Sequence, residues 1–498
     1  MRPLVVSAAA GAFGLAALRW LRVAQREHYL AGAAGRFAAR WWRLPRNLPL
    51  SVTLVAATLA AFRWPAAGLL TAAMVAVGPL GLSWRGRTSQ LAWTMRMRRL
   101  AGVVGFLGLA SLVWSLAAGS VVPALAAALG VPWLVDVGLF FLGPIEVRLG
   151  RHWVVEAQNR LADSGARVVA ITGSYGKTTT KSYLVHLLSA VCRVAASPAS
   201  FNNRMGLARA INENVTSGTE VFVAEMGTYG PGEIANLCRF VPPVVAAITA
   251  IGPVHLERFG SLEAIVAAKA EILAGASVAV LNVDHAALAE LAERESTRRR
   301  VIRCSSADPR AEVFVEAGSG QVWVEGRLIG SAPAGRAAAV NTAVAVGAAI
   351  GLGFEPARLA GRLADLAVPP HRANAVMGQG GLQIIDDTFN SNPAGAAAAL
   401  ENLGALAGDG RKVVVTPGMV ELGRRQAAEN AAFAASALAV ADQLVVVGET
   451  NRAALLKGAG SGAVVTLPDR QAAVDWVRAN LGAGDSVLYE NDLPDHYP

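Results

Sequence analysis

The densest chemistry in the sequence lies at Gly173-Ser174-Tyr175-Gly176-Lys177-Thr178-Thr179. Glycines let backbone N–H groups curl around phosphate oxygens, Lys177 can neutralise terminal phosphates, and the Thr178 hydroxyl can hold magnesium. Such a loop works between a buried strand and a helix N-terminus, whose dipole adds positive potential. The apolar run Val168-Val169-Ala170-Ile171-Thr172 in front is of buried-strand type, and a helical pattern follows through Leu188. A chance glycine turn before a helix is the bland alternative, and the strand in front and the Lys-Thr behind weigh against it. The loop is shorter than the usual Gly-x-x-x-x-Gly-Lys form.

Other residues gain meaning from their place. Glu225 ends a second buried run, Val221-Phe222-Val223-Ala224, where a carboxylate can reach magnesium beside bound phosphates. A third run, Ala246–Ile251, delivers His255; a lone histidine is more often structural, and hard magnesium is not a natural imidazole partner. On their own, Lys269 reads as a solvated helix lysine, and Asn202 and Asn203 as parts of a polar loop. After Pro369-Pro370-His371-Arg372 the pattern restarts, with a strand ending in Asp386-Asp387 and then Thr388-Phe389-Asn390-Ser391-Asn392-Pro393. Strands at Lys412–Thr416 and Gln443–Gly448 alternate with Ala-rich helices, which predicts an open α/β sheet.

From Val168 to the C-terminus these motifs, in this order, resemble the Mur ligase family. The resemblance implies an α/β fold: a P-loop central domain with a mostly parallel sheet, then a Rossmann-like C-terminal domain. It implies ATP held by Gly173, Ser174, Tyr175, Gly176, Lys177, Thr178 and Thr179, with Asn341 on the adenine side. Arg372 on phosphate and Asp387 on ribose would close over the nucleotide from a mobile third domain; an interdomain salt bridge or strand cap is the alternative. Mg2+ would be held by Thr178, Glu225, His255 and Lys269, the last carbamylated by carbon dioxide, and Lys177, His255 and Lys269 form the implied catalytic set. Asn202 and Asn203 would approach the acyl acceptor. The implied chemistry is attack of a carboxylate on the γ-phosphate of ATP, giving an acyl phosphate that an amine converts to an amide. Met419-Val420-Glu421-Leu422-Gly423 fits the branch that adds D-alanyl-D-alanine to the peptidoglycan precursor.

The elements in front of this core are of another kind. The chain of 498 residues is 53% hydrophobic and 16% charged, with net charge +9 and mean hydropathy +0.41, which asks for a membrane portion. Five apolar stretches, near 4–18, 48–62, 65–82, 101–119 and 121–143, predict about five transmembrane helices. Arg19, Arg22, Arg26, Arg36, Arg40, Arg43 and Arg46 would fill the first loop, and Arg85, Arg87, Arg96, Arg98 and Arg99 the third, making both cytoplasmic. The expected layout is a membrane region over 1–147, an ATP-binding domain over 148–366 and a C-terminal domain over 367–498. The protein would be multi-pass in the cytoplasmic membrane with its catalytic domains in the cytoplasm. A cleaved signal peptide at 4–18 is disfavoured by the arginines behind it. The charge reads as topology and lipid-headgroup contact rather than nucleic-acid binding. Asp136 reads as an interfacial acid rather than an intramembrane functional one. Cys192, Cys238 and Cys304 fit no metal spacing.

The sequence departs from the family where substrate is recognised. A membrane region stands where Mur ligases carry a soluble domain that grips a uridine nucleotide. Thr228-Tyr229-Gly230 replaces the usual Ala-Asn-His, and Ala337 stands where histidine is common. The substrates read as a small-molecule or lipid-linked carboxylate and an amino acid or dipeptide. A membrane-bound ligase acting on a poly-γ-glutamate-type or lipid-linked acceptor is the alternative enzyme, and a nucleotide-binding membrane scaffold the alternative of another class.

Overall fold

The computed structural model describes residues 1–86, 90–198, 201–367, 374–389, 391–406, 408–494 and 496–497. It divides into two compact units, Met1–Gly150 with Leu493–Pro498, and Arg151–Asp492.

The first unit is helical. Among the described residues three helices are long and apolar enough to cross a membrane: Arg2–Arg26, Met95–Ala117 and the one beginning at Val122. Leu48–Ala61 and Ala67–Val77 are shorter apolar helices. Small residues let these helices approach: a Cβ at Gly108 would lie 2.6 Å from the Phe13 ring. Arg19 and Arg22, expected in the first loop, instead lie within the first helix and are buried. The reason is local: Arg19 donates to the carbonyls of Ala76 (2.5 Å) and Gly78 (3.0 Å), capping the end of helix Ala67–Val77, and Arg22 donates to the Ser83 carbonyl at 2.6 Å. Asp136 accepts the N–H groups of Ala34 (3.2 Å) and Gly35 (2.8 Å), which answers the free donors at the start of helix Ala33–Trp42. The last residues pack into this unit: His496 Nε2 lies 2.9 Å from Glu27 Oε1, Trp41 Nε1 donates to the His496 carbonyl at 2.8 Å, and Phe37 meets the His496 ring edge-on.

The second unit holds two sheets. The first contains β1 (Arg167–Thr172), β2 (Val194–Ala196), β3 (Val221–Glu225), β4 (Val245–Ile248), β5 (Val278–Asn282), β6 (Arg300–Ser305), β7 (Val313–Val315), β8 (Gln321–Val324) and β9 (Arg327–Ser331). Its order is β2-β3-β1-β4-β5-β6-β7-β8-β9, parallel as far as β7 and antiparallel beyond. Strands β3 and β4 are buried along their whole length, as continuous apolar runs in a sheet covered on both faces must be. The second sheet contains β10 (Asn374–Met377), β11 (Gln383–Asp387), β12 (Lys412–Thr416), β13 (Gln443–Val447), β14 (Val464–Leu467) and β15 (Ser486–Glu490). Its order is β10-β11-β15-β12-β13-β14, parallel except for β10. In such sheets ligands are met beyond the carboxyl ends of the strands, and there Gly173, Glu225, His255 and Asp387 lie.

Candidate active site

Strand β1 runs into Gly173, and the helix Lys177–Leu188 starts directly after Gly176, whose φ is +80°. Only glycine takes that conformation freely, and space demands it too: a Cβ at Gly176 would fall 2.4 Å from Asn341 Oδ1. At Gly173 it would fall 1.9 Å from Thr249 Oγ1. The loop is held from the β4 side, where Ser174 Oγ donates to the Gly252 carbonyl (3.0 Å) and Thr249 donates to the Tyr175 carbonyl. Lys177 Nζ donates to the Gly173 carbonyl at 2.7 Å. Thr180 Oγ1 donates to Asn341 Oδ1 at 3.1 Å, which brings the helix Arg336–Gly351 against the loop.

Thr178 Oγ1 donates to Glu225 Oε2 at 3.1 Å, so the hydroxyl and carboxylate picked from sequence converge. Glu225 is buried and also takes the Lys181 ammonium at 2.9 Å. Burial alone would raise its carboxyl pKa, but the charges of Lys181 and Lys177, with hydrogen bonds from Lys181 and Thr178, outweigh that and hold it below the usual range. Lys269 is not the solvated helix residue its surroundings suggest: it is only 6% exposed. Burial first, and the Lys177 charge second, push its ammonium pKa well down, which favours the neutral amine.

Among the described residues no three His, Cys, Asp or Glu side chains group to hold a metal. One carboxylate and one hydroxyl at the end of a phosphate-type loop nevertheless fit magnesium, which is usually bound by one or two carboxylates together with substrate phosphates and water.

His255, with φ +60°, pairs through Nδ1 with Glu421 Oε2, and Arg258 Nη2 donates to Glu421 Oε1 at 3.2 Å. Burial would raise the Glu421 carboxyl, but its pairing with His255 and with the Arg258 guanidinium holds it down at about 2. Asn203 Oδ1 accepts the Gly206 N–H, capping helix Arg204–Asn214, while Asn202 packs against Gly227. Asp387 is buried at the end of β11, in register with Glu490. Arg372 lies outside the described residues.

Three polar residues of this region were given no role from the sequence. Lys181 neutralises Glu225. His285 places Nε2 3.4 Å from the Tyr175 hydroxyl. Glu490 is fully buried and receives the Ser391 and Thr416 hydroxyls; burial pushes its carboxyl up to about 8, against the Thr416 hydrogen bond and helped by the Asp387 charge. The only signal for Glu490 was an acid ending an apolar run.

A parallel sheet, a glycine loop on a helix N-terminus, and an acid and a lysine beside it define a nucleotide-binding α/β enzyme of the phosphoryl-transfer type. Residues 171–349 match the Mur ligase middle domain, and 371–489 the Mur ligase glutamate ligase domain. The chain is 31% identical over 369 residues to the UDP-N-acetylmuramoyl-tripeptide–D-alanyl-D-alanine ligase of Mycobacterium leprae, covering 66% of this chain and 71% of that protein. The Bacillus subtilis protein of the same name is 31% identical over 274 residues, covering 54% and 59%. Among solved structures, MurF from Thermotoga maritima in complex with ADP is similar with TM-score 0.60 and 27% identity, covering 69% of this chain and 80% of that one. MurF from Acinetobacter baumannii is similar with TM-score 0.59 and 25% identity, covering 68% and 76%. The chain belongs to the Mur ligase family and is an ATP-dependent, ADP-forming ligase.

Proposed function

We propose that this ligase joins a muramoyl peptide carboxylate to D-alanyl-D-alanine at the cytoplasmic face of the membrane, in peptidoglycan precursor synthesis. The observation that carries the reading is the convergence of Lys177, Thr178, Glu225, Asn341 and buried Lys269 around one loop. In this reading residues 1–147 form the membrane region, 148–366 bind ATP and 367–498 supply Asp387 and Arg372 to the nucleotide. Gly173, Ser174, Tyr175, Gly176 and Thr179 wrap the phosphates with backbone N–H groups, Lys177 neutralises the γ-phosphoryl charge, and Asn341 faces adenine. Asn202 orients the acceptor. Mg2+ would be held by Thr178, Glu225, His255 and Lys269, and it would supply neutralisation of charge on the transferred phosphoryl group. A neutral lysine amine is the form that adds carbon dioxide, and the resulting carbamate is an acid; burial of Lys269 supports that modification. A scaffold that only bound ATP would have no use for a lysine buried in this way.

The three long apolar helices support a multi-pass membrane location. They also favour a second reading, in which the acceptor is lipid-linked or a poly-γ-glutamate-type polymer. The test is phosphate release by the detergent-purified chain with ATP and magnesium, omitting one substrate at a time. Release that needs both a muramoyl tripeptide nucleotide and D-alanyl-D-alanine supports the first reading. Release only with a lipid-linked or glutamate-polymer acceptor supports the second, and release indifferent to any acceptor or amine contradicts both.

A further inference from the structure

Glu421 belongs to the loop after β12, and His255 to the loop after β4 that also fastens the phosphate-type loop through Thr249 and Gly252. The two side chains therefore come from different sheets of the second unit. Both oxygens of Glu421 are used, one by His255 Nδ1 and one by Arg258, and the Glu257 N–H donates to the Glu421 carbonyl at 3.2 Å. Tyr229 closes the cluster: its ring meets the His255 ring edge-on at 5.0 Å, and the Arg258 guanidinium lies 4.9 Å over its face. His255 and Glu421 both hold left-handed backbone, at φ +60° and +63°. Non-glycine residues keep that conformation only where the surroundings over-determine it. Tyr229 stands where this sequence departs from the family pattern.

We propose that Glu421 is a positioning residue: carried by the second sheet, it fixes the imidazole of His255 in the first, so that the metal side of the site is completed only when the two sheets meet. A carboxylate accepting from Nδ1–H puts the ring proton on Nδ1 and leaves the Nε2 lone pair available, the arrangement by which carboxylates orient metal-binding histidines. Arg258 holds the carboxylate in turn, and Tyr229 limits rotation of the ring. The inference rests on the assignment of His255 to a magnesium site.

The experiment is Mn2+ binding, read by electron paramagnetic resonance, to the full chain in detergent with ADP present. It compares wild type, Glu421→Ala, Glu421→Gln and His255→Gln. The expected result is affinity about tenfold weaker for Glu421→Ala, mostly recovered in Glu421→Gln, whose carbonyl oxygen still accepts from Nδ1, and loss at least as large for His255→Gln. Wild-type affinity in Glu421→Ala with weak binding in His255→Gln would overturn the positioning role and keep the metal assignment. Wild-type affinity in His255→Gln would overturn the assignment and the proposal with it. A second measurement needs no change at Glu421: ring 15N signals of the ADP-bound wild type, assigned by the His255→Gln variant. The proton on Nδ1 supports the proposal, and the proton on Nε2 refutes it.

Discussion

Replacing Glu490 with glutamine should make the second sheet more stable in mildly alkaline solution than it is in the wild type. The wild-type carboxyl is fully buried and stands at about 8, against 4.5 for the free side chain. Its folded-state pKa is raised, so its stabilising contribution is complete below the unfolded value and is lost as pH climbs through the folded one. That difference corresponds to roughly 5 kcal/mol, about three-quarters of it lost between about pH 5 and pH 8. Glutamine is the uncharged isostere of the protonated acid: one of the Ser391 and Thr416 hydroxyls can donate to its oxygen while the other rotates to accept from its nitrogen. The chain has two units and no single unfolding free energy, so the assay is amide hydrogen exchange of β11, β12 and β15 by mass spectrometry, corrected for intrinsic rates. Wild-type opening should become easier from pH 5 to pH 8 relative to Glu490→Gln, and the variant should be the better protected at pH 8. Parallel pH profiles for the two proteins would refute the reasoning.

Gly176→Ala should raise the KM for ATP about tenfold, because left-handed backbone costs alanine roughly 1–2 kcal/mol and the new methyl displaces Asn341 from Thr180; an unchanged KM would count against the loop. Lys181→Met should destabilise the first sheet by about 3–5 kcal/mol by leaving Glu225 buried without its ammonium partner, seen as faster exchange at β3. His496→Ala should lower the thermal stability of the helical unit by roughly 1.5–3 kcal/mol through loss of the bond to Glu27; exchange in helix Arg2–Arg26 unaltered by the change would show that this contact is weak.

The parts of the site that could be read from sequence are those that obey local rules. A buried strand, a glycine loop and a helix must follow one another for a phosphate cradle, so Gly173 to Thr179 could be placed without a structure. Glu225 and Asp387 end apolar runs, which fixes them at strand ends. The roles of Lys181 and Glu490 depend on strands brought together across the orders β2-β3-β1 and β11-β15-β12, and that of Glu421 on a contact between the two sheets, none of which residue spacing encodes. Lys269 looks like a surface lysine within its own helix, and only the fold buries it. In the helical unit, helices form at the five apolar stretches, but among the described residues three rather than five are long and apolar enough to cross a membrane, because Leu48–Ala61 and Ala67–Val77 are too short. Arg19 and Arg22 were misplaced because positive charge marks cytoplasmic loops in general, whereas here backbone carbonyls of neighbouring segments draw both guanidinium groups inside.

The most direct test of the central claim is isotope transfer: the acceptor carboxylate is labelled with 18O in both oxygens, and the phosphate released during a complete reaction is weighed. A carboxylate that attacks the γ-phosphate gives one of its oxygens to the phosphate when the amine displaces it, and the amide keeps the other. Ligation through an acyl phosphate predicts one 18O in each phosphate formed with product. Phosphate without label, released at the same rate as product, would contradict it.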